Sequence, residues 1–250
     1  MSRLFTFGCS FTNYRWSTWA DCLAPEFDEF ENWGQSGAGN QFIFNSVMEC
    51  DQRNKFGPDD TVMICWSNVM RDDRYVEHRW ITLGGVATTP IYTKEFLVDH
   101  VDHRGYLIRD LALIKAVSVL LQNRLGTTWK FMSFCPITWY SIGTPTIGDT
   151  RIDDVEELYQ SVIDMFLPSF NTVLPRFNGF DTQMLPSVGN DYHPSPAEHL
   201  AYLDAVLPGW VTKEETRVKM HEETLLLEQN KYNLQNHRPR RSGLSIVQRL

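Results

Sequence analysis

The sequence predicts an α/β fold, a three-layer α/β/α sandwich around a mainly parallel sheet, on three observations. Short apolar runs at 3–7, 61–66 and 129–134 alternate with segments of helical periodicity, the pattern of a sheet covered by helices on both faces. The first and the third extended runs, at 3–7 and 61–66, end on Gly8-Cys9-Ser10 and Ser67-Asn68, and a second, shorter run ends on Asn32-Trp33-Gly34. Parallel strands present their C-terminal ends on one side, so these polar endings meet at a single edge, where open α/β sheets keep their chemistry.

In chain order, the strand at 3–7 delivers Ser10 and is followed by residues 13–24, whose Trp16, Trp19, Ala20 and Leu23 recur at helical spacing before Pro25 closes the segment. After the short second strand, Gln35-Ser36-Gly37-Ala38-Gly39-Asn40 opens a helix over 41–53 with Phe42, Ile43, Val47 and Met48 inward. The turn Gly57-Pro58-Asp59-Asp60 hands over to the buried strand 61–66. Residues 70–105 are polar, aromatic and irregular, and read as an insertion at the active edge. A helix over 107–125, a strand over 129–134, a Pro/Thr/Gly-rich loop to Thr150, a helix over 153–166 and a last helix over 197–207 complete a domain expected to span 1–211.

A different kind of sequence follows. Thr212 and Glu215 have capping-box spacing, and the charged helix expected over 212–236 carries Val218, Leu225 and Tyr232 at sevenfold spacing. That seam serves either its own domain or a partner, so an oligomer or assembly contact through this helix stays open. Residues 237–250 form a basic, breaker-rich tail.

Composition narrows the function. The 250 residues are 42% hydrophobic and 22% charged with a net charge of -8, which argues against a nucleic-acid or anionic-membrane binder, since either needs a positive surface. Five widely spaced cysteines, Cys9, Cys22, Cys50, Cys65 and Cys135, form no C-x-x-C pair and read as reduced core thiols. On a strand, the Cys9 side chain is expected to point away from that of Ser10. No apolar run reaches the ~18 residues of a membrane span, and the start lacks the pattern of a signal peptide.

The chemistry gathers around Ser10. Gly189-Asn190-Asp191-Tyr192-His193-Pro194-Ser195 places a carboxylate beside a histidine on a loop before a helix. A serine hydroxyl needs such a pair to become a nucleophile, one ring nitrogen taking the proton while the acid holds the other. Singly, Ser10 also suits a helix cap, Asn68 a turn, Gly37 a helix entry and His193 a surface loop. Together they point to acyl transfer.

The set Gly8-Cys9-Ser10, Asn32-x-Gly34-x-Ser36-Gly37, Ser67-Asn68 and Asp191-x-His193 resembles the four blocks of the SGNH (GDSL-type) hydrolase superfamily. The block Gly8-Cys9-Ser10-Phe11-Thr12 is similar to that of short bacterial and phage-encoded members. The resemblance implies a flavodoxin-like sheet, Ser10 as nucleophile, His193 as base, and Ser10, Gly37 and Asn68 as donors to an oxyanion. It departs from the family at Trp66, where a glycine is usual, and at Asn190, which occupies the usual position of the acid. Relatives that process polysaccharide acetylation use Asp-x-His, so Asp191 is the expected orienting acid, with Asn190 the alternative.

The resemblance implies a serine esterase without cofactor or metal, cytoplasmic or virion-associated, acting on a small-molecule or carbohydrate ester. Trp66, Arg71, Trp139 and Tyr140 are expected near the site, where aromatic faces suit a sugar ring and an arginine its hydroxyls or carboxylates. The other class of reading is a structural or binding protein that keeps the fold and works through its C-terminal extension. His100 and His103, on one face if that segment is helical, would supply only two metal ligands.

Overall fold

The computed structural model describes residues 1–86, 91–139, 152–174, 191, 193–229 and 231. In chain order the elements are β1 (Arg3–Gly8), α1 (Trp19–Leu23), β2 (Glu29–Asn32), α2 (Asn40–Asn54), β3 (Asp60–Trp66), β4 (Arg74–Val76), β5 (Arg79–Ile81), α3 (Lys94–His100), α4 (His103–Gln122), β6 (Thr128–Ser133), α5 (Asp153–Ile163), α6 (Phe170–Val173), α7 (Pro196–Val206) and α8 (Glu214–Glu228).

β2, β1, β3 and β6 lie side by side in that order, all parallel. The chain runs from β1 outward to β2, returns past β1 to β3 and continues to β6. Parallel crossovers are right-handed, so this reversal sends α1 to one face of the sheet and α2 and α4 to the other. α2, α4 and α5 accordingly pack as one group, and α1, α6, α7 and α8 as another. Every residue of β3 is buried, the signature of a strand covered on both faces. Leu4, Phe5, Val62, Ile64 and Phe131 of the sheet join Phe42 and Leu111 of the first group and Trp19 and Leu203 of the second in a continuous core.

The reversal between β1 and β3 leaves a crevice beyond their C-terminal ends. Gly8 pairs with Cys65 at that edge, so Ser10 and Asn68 emerge beside each other.

Several expectations need correction. The segment 13–24 is helical only from Trp19, as an α-helix over Trp19–Leu23 that passes into a 3-10 turn over Ala24–Glu26, because the Thr18 N–H donates to Asp21 Oδ2 at 2.9 Å and starts the helix there, while Trp16 is drawn aside to another partner. The segment 70–105 is not irregular throughout: β4 and β5 pair as an antiparallel hairpin, α3 follows, and α4 begins at His103. His100 and His103 therefore sit on different helices, and among the described residues no cluster of His, Cys, Asp or Glu is placed to hold a metal ion. Thr212 does not cap α8. Its N–H and hydroxyl, with the Lys213 N–H, bind the Glu26 carboxylate instead. The buried side of α8 is formed by Thr216, Met220 and Leu227, while Val218 and Leu225 of the expected seam are 46% and 53% exposed. Tyr232 and the basic tail lie outside the described residues.

α8 lies against α7 and α1. The Thr224 hydroxyl accepts the Ala197 N–H at the start of α7, and Arg217 makes a two-pronged bond to Asp204 at its other end. No described helix is long and apolar enough to cross a membrane.

Candidate active site

Ser10 stands on a turn that only glycine permits. Gly8 has φ 153°, and a Cβ there would lie 2.1 Å from Thr12 Oγ1 and 2.7 Å from the Cys65 carbonyl, an impossible approach for any other residue. The chain then folds back, with the Thr12 and Asn13 N–H groups both donating to the Cys9 carbonyl. The Thr12 carbonyl is held by the Thr18 hydroxyl and Asn32 Nδ2 at 2.8 and 2.9 Å. Ser10 is thus fixed at the head of β1, buried, with its hydroxyl toward the crevice.

His193 arrives from the far end of the chain on the loop that opens α7. That helix begins with a capping box, the Ser195 N–H donating to Glu198 Oε2 at 2.7 Å and the Glu198 N–H to the Ser195 hydroxyl at 3.3 Å, with Pro196 preset for its first turn. One residue earlier, the Trp16 indole N–H donates to the Pro194 carbonyl at 2.8 Å. Between these anchors, His193 Nε2 lies 2.8 Å from Ser10 Oγ, and its Nδ1 lies 2.7 Å from Asp191 Oδ1. The His193 backbone N–H donates to the same carboxylate oxygen at 3.0 Å.

Burial alone would push the Asp191 carboxyl up. Hydrogen bonds from the His193 ring, the Tyr14 hydroxyl and the His193 N–H outweigh it and hold the group down at about 2. With an ionised acid at Nδ1, that nitrogen carries the proton and Nε2 is left as acceptor for the Ser10 hydroxyl.

The opposite wall is built from β3. Asn68 Oδ1 accepts the Met70 N–H at 2.8 Å, which fixes the amide so that Nδ2 faces the cleft, 4.0 Å from Cys135 Sγ. Asn40, first residue of α2, exchanges two bonds with Ser67: its Oδ1 accepts the Ser67 N–H and its Nδ2 donates to the Ser67 carbonyl. The same Nδ2 donates to Asp110 of α4 at 2.8 Å.

The cleft these walls enclose has a volume of about 150 Å³ and is bordered by Ser10, Asn68 and His193, the apolar faces of Phe11, Phe134 and Trp139, and Arg71. Cys9 borders it too, while all but 3% of its surface is withdrawn into the core. All five cysteines are free and buried.

Among the other expected site residues, Arg71 and Trp139 reach the cleft, and Arg71 Nη1 donates to the Ala38 carbonyl at 2.8 Å. Trp66 does not. It is fully buried in β3 with its ring edge-on to Phe131, as alternation on a doubly covered strand requires. Gly37 is also absent from the cleft wall: it adopts φ 79° beneath the strip after β5, where a Cβ would lie 2.2 Å from the Thr82 carbonyl, and its own carbonyl accepts the Gly84 N–H. Tyr140 and Asn190 lie outside the described residues.

Two residues escaped the sequence reading. Tyr14 donates its hydroxyl to Asp191 Oδ2 at 2.5 Å and lays its ring on the His193 imidazole, with centroids 3.9 Å apart and planes 20° from parallel. Asn40 read as the end of a glycine-rich helix entry. Neither carries a local signal, because their partners lie 177 and 27 positions away.

No protein-family model matches the chain, and no curated protein matches it significantly. Among solved structures it is similar to a member of the lipolytic G-D-S-L family from Veillonella parvula, at 13% identity and a TM-score of 0.45 over 83% of this chain and 98% of that one. It is also similar to a gut microbial diltiazem-metabolizing enzyme, at 17% identity and a TM-score of 0.44 over 83% of this chain, which spans about half of that protein's length.

Proposed function

We propose that this protein is a serine esterase of the SGNH type, acting through an acyl-enzyme on a short acyl ester, with O-acetylated carbohydrate the favoured substrate class. The observation that carries the reading is the continuous chain from Ser10 Oγ to His193 Nε2 at 2.8 Å and from His193 Nδ1 to Asp191 Oδ1 at 2.7 Å, opening onto a cleft.

His193 Nε2 takes the Ser10 proton as Oγ attacks the ester carbonyl, and Asp191 stabilises the imidazolium that forms. The oxyanion is held by the two donors on the cleft wall, the Ser10 N–H and Asn68 Nδ2. Among the described residues the Ser10 N–H has no hydrogen-bond partner of its own. His193 then gives its proton to the departing alkoxide; water, deprotonated by the same nitrogen, attacks the acyl carbon, and that proton passes to Ser10 Oγ as its bond to the acyl group breaks and the acid leaves. Each preorganised donor of this kind is worth about 3 kcal/mol of barrier.

The size of the cleft supports a short acyl group, being smaller than the ~300 Å³ at which drug-sized ligand pockets begin. Trp139 offers an aromatic face and Arg71 a cation for the alcohol part, the chemistry of a sugar ring and its substituents. The test is hydrolysis of p-nitrophenyl acetate and of an O-acetylated xylan, each compared with Ser10→Ala. Turnover lost in the variant supports the esterase, and release of acetate from the sugar decides the substrate class.

A further inference from the structure

We propose that Tyr14 is a positioning residue of the catalytic pair, its hydroxyl holding the free oxygen of Asp191 while its ring holds the plane of His193. The inference rests on the esterase reading of this site and adds a fourth member to it. Asp191 meets His193 through Oδ1 alone, which leaves Oδ2 able to swing the carboxylate out of the imidazole plane. Tyr14 closes that freedom with a 2.5 Å hydrogen bond to Oδ2. Its ring, 3.9 Å from the imidazole and 20° from parallel, covers one face of the ring that becomes cationic during attack, and a π face favours a cation placed over it. Phe11 packs against His193 as well, at 5.3 Å.

Tyr14 is itself held. Trp16 meets its ring edge-on at 4.6 Å, is fully buried, and donates to the Pro194 carbonyl. The loop after Ser10 therefore grips the 191–194 loop at both ends of His193, once through Tyr14 and once through Trp16. The nucleophile and the base are locked together by the same short stretch that follows the nucleophile, which explains why residues 13–18 do not continue as helix.

The hydroxyl and the ring make separable contributions. Around the imidazole stand Asp191 on its own loop, Ser10 and Tyr14 on the turn after β1, Cys9 and Cys135 on the cleft wall, and Arg71 after β3; Phe11 stands between it and His199. Burial pushes the Cys135 thiol up to about 11, so it stays neutral. Only Asp191 and Tyr14 change their hold on the imidazolium when Tyr14 is replaced. Tyr14→Phe keeps the ring and removes a donor from Asp191; the carboxylate, relieved of that bond, attracts the imidazolium more strongly, and the acidic limb of kcat/KM moves to higher pH. Tyr14→Leu also removes the π face, and its acidic limb lies below that of Tyr14→Phe.

The experiment compares wild type, Tyr14→Phe and Tyr14→Leu in p-nitrophenyl acetate kinetics across pH, alongside the downfield proton resonance of the His193 Nδ1–H. Tyr14→Phe is expected to lower kcat about 10-fold, the scale of a lost hydrogen bond to a charged group, with KM within about 2-fold and the Nδ1–H resonance broadened. Tyr14→Leu is expected to lose a further factor of about 3 to 10. Folded variants that keep the wild-type kcat, acidic limb and Nδ1–H resonance overturn the proposal. The resonance reports the clamp without turnover: its loss in Tyr14→Phe on a wild type that hydrolyses no ester upholds the clamp and overturns the esterase reading alone.

Discussion

Asn40 and Ser67 are joined by two hydrogen bonds, 2.8 Å from the Ser67 N–H to Asn40 Oδ1 and 3.0 Å from Asn40 Nδ2 to the Ser67 carbonyl. The side chain of Asn40 thus acts as an added strand residue for the last turn of β3, and Asn68 follows directly. Both partners are buried, so nothing from solvent replaces these bonds. Asn40→Ala is expected to reduce stability by about 2 to 4 kcal/mol, the cost of leaving buried backbone groups unpaired, and to lower kcat with little change in KM. Urea denaturation and acetate-ester kinetics on the same preparation check both.

Asp110, beneath Asn40, gives a pH signature. Burial pushes its carboxyl up to about 6 against the lowering influence of Arg109 and Asn40. A carboxyl that binds its proton more tightly in the folded state stabilises the fold fully below its unfolded value near ~4, and that contribution is lost as pH rises through about 6. Asp110→Asn removes the loss. Thermal melts from pH 4 to 7 are expected to show the variant gaining on wild type as pH rises; a constant gap would contradict the assignment.

Asp191 behaves in the opposite sense. Its folded value is depressed to about 2, so its contribution is present above the unfolded value near ~4 and is lost as pH falls through about 2. Asp191→Asn is expected to be less stable than wild type at pH 7, with the gap closing toward pH 2. On the esterase reading it also lowers kcat by a factor on the order of 10⁴, through the wrong imidazole tautomer. Melts and burst-phase kinetics measure the two effects separately.

The Glu26 carboxylate accepts three hydrogen bonds from Thr212 and Lys213 just before α8. Glu26→Ala is expected to raise amide exchange at 212–216 and to reduce stability by about 1 kcal/mol, as loss of a helix cap does. Activity should be unchanged, because this junction is remote from the cleft lining. Hydrogen exchange read by mass spectrometry checks it.

These results show which parts of the molecule were legible in the sequence. The parallel sheet was, because β1 and β3 are continuous apolar runs that stop on polar residues, and burial on both faces leaves that mark directly. Ser10, Asn68, Asp191 and His193 were also nameable, since each sits at a strand end or a helix start where local sequence sets geometry. Trp66 was misplaced because adjacency to Ser67 in sequence says nothing about which way a strand side chain points. The helix expected from residue 13 failed for a long-range reason: Trp16 and Tyr14 find partners in the 191–194 loop, and those bonds outweigh helical periodicity. On α8, sevenfold spacing marked Val218 and Leu225, which stay exposed, whereas the residues the helix buries against its own domain are Thr216, Met220 and Leu227.

An activated Ser10 reacts with a small phosphonylating reagent whatever the natural substrate, so covalent labelling reads its nucleophilicity without turnover. The folded protein is incubated with a small fluorophosphonate, and the intact mass and the modified peptide are read for wild type, Ser10→Ala and His193→Ala. One adduct is expected, mapped to Ser10, absent from Ser10→Ala and forming at least about 100-fold more slowly in His193→Ala. A folded wild-type protein that takes up no label, or labels equally fast without His193, contradicts an activated Ser10.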